Sequence, residues 1–255
     1  MISEYKLNVY GCGSPIRLPM MQTLANGLNA NNFIKKENPQ YLDGNSVVWG
    51  LIRGAKPIME ITGKHGYDFF QVDNAYFGRN EYFRITKNSL QLIGLPNNVK
   101  DNRYINIFKK HNLQYKKWQK KRSDKIIICL SSEYLYSYYS TTLNEWLNNT
   151  IKEIRKYTDK EIIVRLKNNN LNSIEKDIEN AWCVVTHVSA AALDALRLGV
   201  PVVTTGICSA TSLSTQISDI DNPLMLEGRD ELFSHLAWAQ FSIEEMASGL
   251  HKILF

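Results

Sequence analysis

The chain is poor in the features that assign a function at sight. No run approaches the ~20 apolar residues of a membrane span. The amino terminus, Met-Ile-Ser-Glu-Tyr-Lys, has no apolar core of the kind a signal peptide needs, so a cytoplasmic location is expected. The four cysteines, Cys12, Cys129, Cys183 and Cys208, show no CxxC spacing. That pattern fits free thiols in a reducing compartment rather than a disulfide framework. There is no GxxxxGK[ST] phosphate loop, no GxSxG elbow, no HExxH and no His/Cys constellation with metal-ligand spacing. These absences argue against common NTPases, serine hydrolases and zinc hydrolases, and no metal site is expected. Internal repeats are absent. A net charge of +5 permits an anionic partner without demanding one.

What remains is an ordinary globular composition, 44% apolar and 22% charged over 255 residues, enough for one large domain or two small ones. The most legible stretch is 181–206, which reads strand, tight turn, helix, turn, strand. Residues 182–186 form a β-branched run without alternation, as a parallel strand buried on both faces requires. His187, Val188 and Ser189 make the turn, and Ser189 is placed to cap the helix that follows. Residues 190–198 are Ala/Leu-rich, Gly199 suits the position after a helix end, and Pro201 stops continuation. Such a unit implies a right-handed βαβ crossover, with its functional end at Thr186–Ser189.

The rest of the chain alternates in the same way. Strands are expected at 7–10, 47–51, 67–72, 125–130 and 161–165, and helices at 57–63, 143–157, 171–180, 229–240 and 243–253. A hairpin is expected from 82–85 and 89–93. Ser242 with Glu245 spells a capping box. Gly11-Cys12-Gly13-Ser14-Pro15 is either a phosphate or acceptor loop or a plain turn, and the Asn-rich stretch 29–45 reads as loop. Between 109 and 125 fall eight Lys or Arg, interleaved with His111, Tyr115 and Trp118. This strip is either a solvated linker or a surface that follows a nucleic-acid backbone through Lys116, Lys117 and Trp118. The expected fold is α/β, with two Rossmann-like halves facing a cleft: a first domain (1–108), a basic linker (109–124) and a second domain (125–255), which the resemblance given below makes the acceptor side and the nucleotide-sugar-binding side.

Candidate chemistry gathers at strand ends. In the second half these carry Ser131-Ser132, Arg165 and Lys167, and Thr186, His187 and Ser189. Hydroxyls, two cations and a helix start suit a diphosphate or nucleotide. Asp194 is placed to take a ribose hydroxyl pair, or is a solvated helix acid. In the first half Asp73 directly follows a strand and is the best general-base candidate for an acceptor hydroxyl, the alternative being an Asx-turn cap. Asn74, Tyr76, Arg79 and Arg84 stand beside it as acceptor contacts, the arginines otherwise making surface salt bridges.

Residues 181–206 resemble the sugar-nucleotide-binding half of GT-B glycosyltransferases, through Ser189, Asp194-Ala195-Leu196 and Gly199-Val200-Pro201-Val202-Val203. More narrowly, the layout resembles the capsule-polysaccharide Kdo-transferase type. Its acidic segment has Val72-Asp73-Asn74-Ala75-Tyr76-Phe77 as counterpart, its Arg-Pro-His-Pro segment has Arg165-Leu166-Lys167, and its Ser-containing helix has residues 186–196. Asn74 stands where an acid pair would be completed, and Lys167 replaces the histidine. Residues 76–79, 82–86, 221–223 and 237–241 also resemble small glycosyltransferase-like proteins of bacteriophages, which implies a hydroxymethylated base in double-stranded DNA as acceptor. The resemblance implies a UDP- or CMP-linked sugar as co-substrate and no required cofactor. The alternatives are a surface or capsular glycan as acceptor, or a non-catalytic nucleotide- or nucleic-acid-binding module.

Overall fold

A computed structural model describes residues 6–11, 15–34, 43–52, 54–91, 102–167 and 172–250. Cys12, Gly13 and Ser14 of the glycine turn, residues 35–42 of the Asn-rich stretch, the 92–93 end of the expected hairpin and the last residues of the final helix lie outside them. The chain divides into two compact units, Met1–Ile107 with Ser234–Phe255, and Phe108–Phe233.

The first unit holds β1 (Lys6–Tyr10), α1 (Leu18–Leu28), β2 (Asn32–Ile34), β3 (Gly44–Trp49), α2 (Ala55–Lys64), β4 (Phe69–Asn74) and β5 (Tyr82–Lys87). The chain leaves it within α3 (Arg103–Lys110). In the second unit come β6 (Lys125–Cys129), α4 (Glu133–Tyr138), α5 (Leu143–Ile154), β7 (Glu161–Arg165) and α6 (Ile174–Ile178). They are followed by β8 (Cys183–Thr186), α7 (Ala191–Arg197), β9 (Val202–Thr204) and β10 (Ser214–Thr215). The chain returns to the first unit within α8 (Arg229–Trp238), and ends in β11 (Gln240–Ser242) and α9 (Ile243–Ala247).

The first sheet has the order β11-β5-β4-β3-β1-β2. β2, β1, β3 and β4 are parallel, and β5 runs antiparallel to both its neighbours. Val9, Val47, Phe70, Val72, Phe83 and Ile85 form one apolar face, packed against Met20, Met21 and Leu24 of α1 and Met246 of α9. Residues 234–255, placed by the sequence division in the second domain, therefore belong to the first unit. β11 pairs with β5, Phe241 opposite Phe83, and Phe241 and Met246 are fully buried in this core. The expected hairpin is replaced by these pairings, because β5 lies between β4 and β11 and Ser89–Gln91 form a bend. The Asn-rich stretch contains β2. The capping box at Ser242 and Glu245 is present in both of its hydrogen bonds.

The second sheet is parallel throughout, in the order β10-β9-β8-β6-β7. Ile126, Ile128, Cys183, Val185 and Val203 pack with Tyr136, Trp146 and Ile154. Both units are Rossmann-like, as expected of the α/β reading.

The expected linker is a strap bound to the second unit. Lys116 N–H donates to the Arg197 carbonyl at 2.8 Å, Gln119 N–H to Gly199 O at 2.9 Å, and Ser123 N–H to Asn180 O at 2.7 Å. Gly199, past the end of α7, has φ +74, and a Cβ there would meet Lys117 O at 2.1 Å. The position needs glycine both for its left-handed backbone and for the passing strap. Gly199→Ala is expected to cost about 2 kcal/mol or more, from left-handed strain plus displacement of the strap. Urea unfolding measures it, and a loss under ~0.5 kcal/mol contradicts this account.

Candidate functional site

Parallel strands bring all their carboxyl ends to one rim, and ligands bind where the chain order reverses. In the second unit β6 connects outward to β7 on one side, while β8 leads to β9 and β10 on the other, so the reversal lies between β6 and β8. Cys129, Thr186 and Thr204 stand in one row across β6, β8 and β9, with Arg165 beside Cys129 on β7. The residues just past this row form the rim: Ser131, Ser132, Lys167, His187, Ser189 and Thr205.

Thr186 anchors it. Its side chain is fully buried, and Oγ1 donates to the Cys129 carbonyl at 2.7 Å while accepting from the Ser189 N–H at 3.4 Å. Ser189 Oγ in turn accepts from the Ala191 N–H at 3.2 Å, from one residue before the helix N-cap, which is Ala190 rather than the expected Ser189. Thr186 thus shapes the turn and is not open to a ligand.

His187 sits in an aromatic box and is only 9% exposed. Its ring stacks on Tyr136 at 5.8 Å, meets Tyr139 edge-on at 5.0 Å and lies 5.9 Å from Trp146. Nδ1 is 3.1 Å from Thr205 Oγ1, which accepts from Trp146 Nε1–H at 2.7 Å. Burial pushes the imidazole pKa below its usual 6.5. A Cβ at Gly206 would come within 2.6 Å of His187 Cε1, so glycine there admits the ring. Nε2 of His187 is buried without a hydrogen-bond partner, while the Ser131 hydroxyl interacts with Tyr136 and the Thr204 hydroxyl with the Cys208 thiol. Buried polar atoms in native proteins are nearly always paired, so the unpaired His187 Nε2 at the carboxyl ends of the strands is a candidate ligand contact. Lys167 Nζ bonds Ser132 Oγ.

Two predicted donor contacts are engaged elsewhere. Arg165 Nε pairs with Asp177 at 2.8 Å, tying β7 to α6. Asp194, its side chain 12% exposed, accepts from Arg197 Nε and Nη2 at 3.3 Å. Arg197 is buried to 1% and also bonds Glu175 at 2.5 Å and Gln114 O at 3.2 Å, so the Asp194 carboxylate neutralises an interior cation. The strip residues are likewise occupied. Lys116 pairs with Glu179 at 2.5 Å, Trp118 carries the Arg229 guanidinium at 4.1 Å, and Arg122 stacks on Trp182 at 4.4 Å. Lys117 stays exposed.

In the first unit β4 ends in Asp73 and Asn74. Asp73 faces Arg84 across the β4–β5 pair, with Oδ2 accepting from Arg84 Nη2 at 3.2 Å and Oδ1 from the Asn74 N–H at 2.7 Å. Arg84 also reaches Gln91 Oε1 at 3.4 Å and lies over the buried Tyr76 ring at 5.3 Å. Arg17, which nothing in the sequence singled out, donates to Asn74 Oδ1 at 3.4 Å and stacks over Trp49 and Phe83. Arg79 is exposed in the turn before β5.

Burial pushes the Cys129 and Cys183 thiols up to about 12, so neither is a nucleophile at neutral pH. Among the described residues no group of three or more His, Cys, Asp or Glu could hold a metal ion, and no helix is long and apolar enough to cross a membrane. The sequence does spell one D-x-D, Asp219–Asp221. It lies near the amino ends of the strands, where Asp221 accepts from Thr158 at 2.8 Å and faces Lys160 at 3.6 Å.

Neither a protein-family model nor a curated protein matches the chain. Solved structures do. Thermosulfurimonas dismutans KpsC, beta Kdo 2,4 transferase, superposes with a TM-score of 0.57 at 12% identity, over 94% of this chain and 92% of that one. The beta Kdo 2,7 transferase of the same organism's KpsC gives 0.56 at 12% identity, over 97% and 99%. The likeness extends over both units and is one of fold, the two Rossmann-like halves of the GT-B-like fold that the resemblance implied.

A lowered His187 pKa means that the unfolded chain holds more protons than the native one below the usual 6.5. The contribution is present above pH 6.5 and lost as pH falls from there toward the folded value. Wild-type protein should therefore lose more unfolding free energy between pH 7.5 and pH 5 than His187→Asn does, measured by urea unfolding. Equal losses contradict the assignment.

Proposed function

We propose that the chain is a glycosyltransferase that moves a sugar from a nucleotide donor to an acceptor hydroxyl. The observation that carries the reading is the β6/β8 rim, where the buried, unpartnered Nε2 of His187 stands among strand ends that carry Ser131, Ser132, Lys167 and Ser189. The GT-B-like fold, shared with two Kdo transferases, supports it.

In this reading Ser131, Ser132, Lys167, His187 and Ser189 hold the phosphate of a UDP- or CMP-linked sugar. The bond from the anomeric carbon to the phosphate oxygen breaks as the bond to the acceptor oxygen forms. Negative charge developing on the leaving nucleotide is met by Lys167 and by the hydroxyls of the rim. Asp73 takes the acceptor's proton, its carboxylate oriented by Arg84 and the Asn74 amide. Arg165 and Asp194 drop out of the donor set, since their charges are neutralised within the protein.

The acceptor favoured is a glycan hydroxyl. The DNA expectation came from the bacteriophage resemblance, which the comparisons do not support, and from the basic strip, whose Lys116, Trp118 and Arg122 are bonded within the second unit. Incubation with UDP- and CMP-sugars and either a Kdo-terminated oligosaccharide or hydroxymethylated DNA, read by mass spectrometry, separates the acceptors. Sugar on the oligosaccharide supports the reading, and sugar on the DNA alone overturns the acceptor. Asp73→Asn should lower transfer by about 10²–10⁴-fold, with nucleotide affinity unchanged within about 2-fold. Turnover near the wild-type rate would remove Asp73 from the mechanism.

A further inference from the structure

The contacts of Thr205 constrain where the His187 proton sits. Trp146 Nε1 is a donor only, so at 2.7 Å the Thr205 hydroxyl oxygen accepts from it. The hydroxyl then has one proton to give, and the acceptor within reach is His187 Nδ1 at 3.1 Å. Placing the proton on Nδ1 instead would turn the hydroxyl hydrogen of the exposed Thr205 out to solvent, break the chain at the ring and leave Nε2 a bare, buried lone pair. Placing it on Nε2 satisfies indole, hydroxyl and Nδ1 in one chain and leaves one N–H without an acceptor. That N–H is the unpartnered atom found on the rim.

We propose that Trp146 and Thr205 hold His187 in the tautomer protonated at Nε2, so that a neutral imidazole donates to a phosphate oxygen of the bound nucleotide. The phosphate contact rests on reading the rim as a nucleotide site, and the tautomer does not. Nε2 is out of reach of water in the free protein, so the ligand displaces part of its cover. Tyr139, half-buried at the end of the short α4 and edge-on to the ring, is the side chain placed to move. Tyr136 and Trp146, packed in the core on other sides of the ring, keep its plane. Burial disfavours the imidazolium, so the donor stays neutral and the positive charge comes from Lys167. Thr205 and Trp146 are positioning residues: they act through His187.

Long-range ¹H–¹⁵N spectra of the imidazoles read the tautomer directly, with the His187 signal identified by its loss in His187→Asn. Wild-type protein should show Nε2–H. Thr205→Ser should keep it, because it retains the hydroxyl that donates to Nδ1, while Trp146→Phe frees the hydroxyl oxygen to accept and should raise the share of Nδ1–H. Thr205→Val should lose it. Calorimetry with CMP and with UMP should show binding weakened about 10-fold in Thr205→Val, the scale of one hydrogen bond to a charged group, and restored to within about 2-fold in Thr205→Ser. A wild-type proton on Nδ1 overturns the relay even if nucleotide binds, and needs no variant to fold. If neither nucleotide binds wild-type protein while the tautomer is as stated, the phosphate contact and the nucleotide reading fall together.

Discussion

The hydrogen bond from Thr186 Oγ1 to the Cys129 carbonyl closes the ends of the two central strands of the second unit, and the rim is built outward from it. β6 and β8 are apolar on both faces, so their polar atoms are available only where the strands stop. At that edge Thr186 occupies one carbonyl and receives one amide, which bends the chain into the 187–189 turn. His187 is thereby turned into the box of Tyr136, Tyr139 and Trp146. A valine at 186 would keep the strand and lose the turn.

A second constraint holds the opposite end of α7. Arg197 is buried with Asp194 and Glu175 around it, an arrangement in which removing either acid strands a cation. The strap at 111–124 completes this shell, as Gln114 O accepts from Arg197 and the strap amides pair with Arg197 O and Gly199 O. The acid of α7 and the bases of the strip, which look like ligand groups when read singly, are parts of the packing that sets α7 against β8 and β9. At the other end of β8 the His187 Nε2 is left unpaired beside Lys167 and Ser132, and the candidate site is placed there.

Much of this was legible. The unbroken β-branched runs at 125–130 and 182–186 gave parallel strands, Gly199 and Pro201 ended α7, and Ser242 with Glu245 capped α9. What was not legible depended on partners far away in the chain. Nothing local in Gln-Phe-Ser at 240–242 says that it pairs with residues 82–84, and so the domain boundary was drawn too simply. Arg165 and Asp194 read as ligand contacts because the sequence shows a charge and not the counter-charge three or twelve residues on. α4 was missed because its Tyr-rich sequence has neither a helical propensity nor a clear period. Thr205, Trp146 and Arg17 carry no motif. Their places in the site arise from register and packing alone.

The central claim is that a nucleotide is bound at the carboxyl rim of the second sheet. Backbone amide shifts of ¹⁵N-labelled protein on addition of UMP or CMP test it most directly. The account predicts that the largest changes fall at 130–132, 187–191 and 205–207. Changes confined to the amino ends of the same strands, around Lys125, Lys160 and Asp221, or to the first unit, would contradict it.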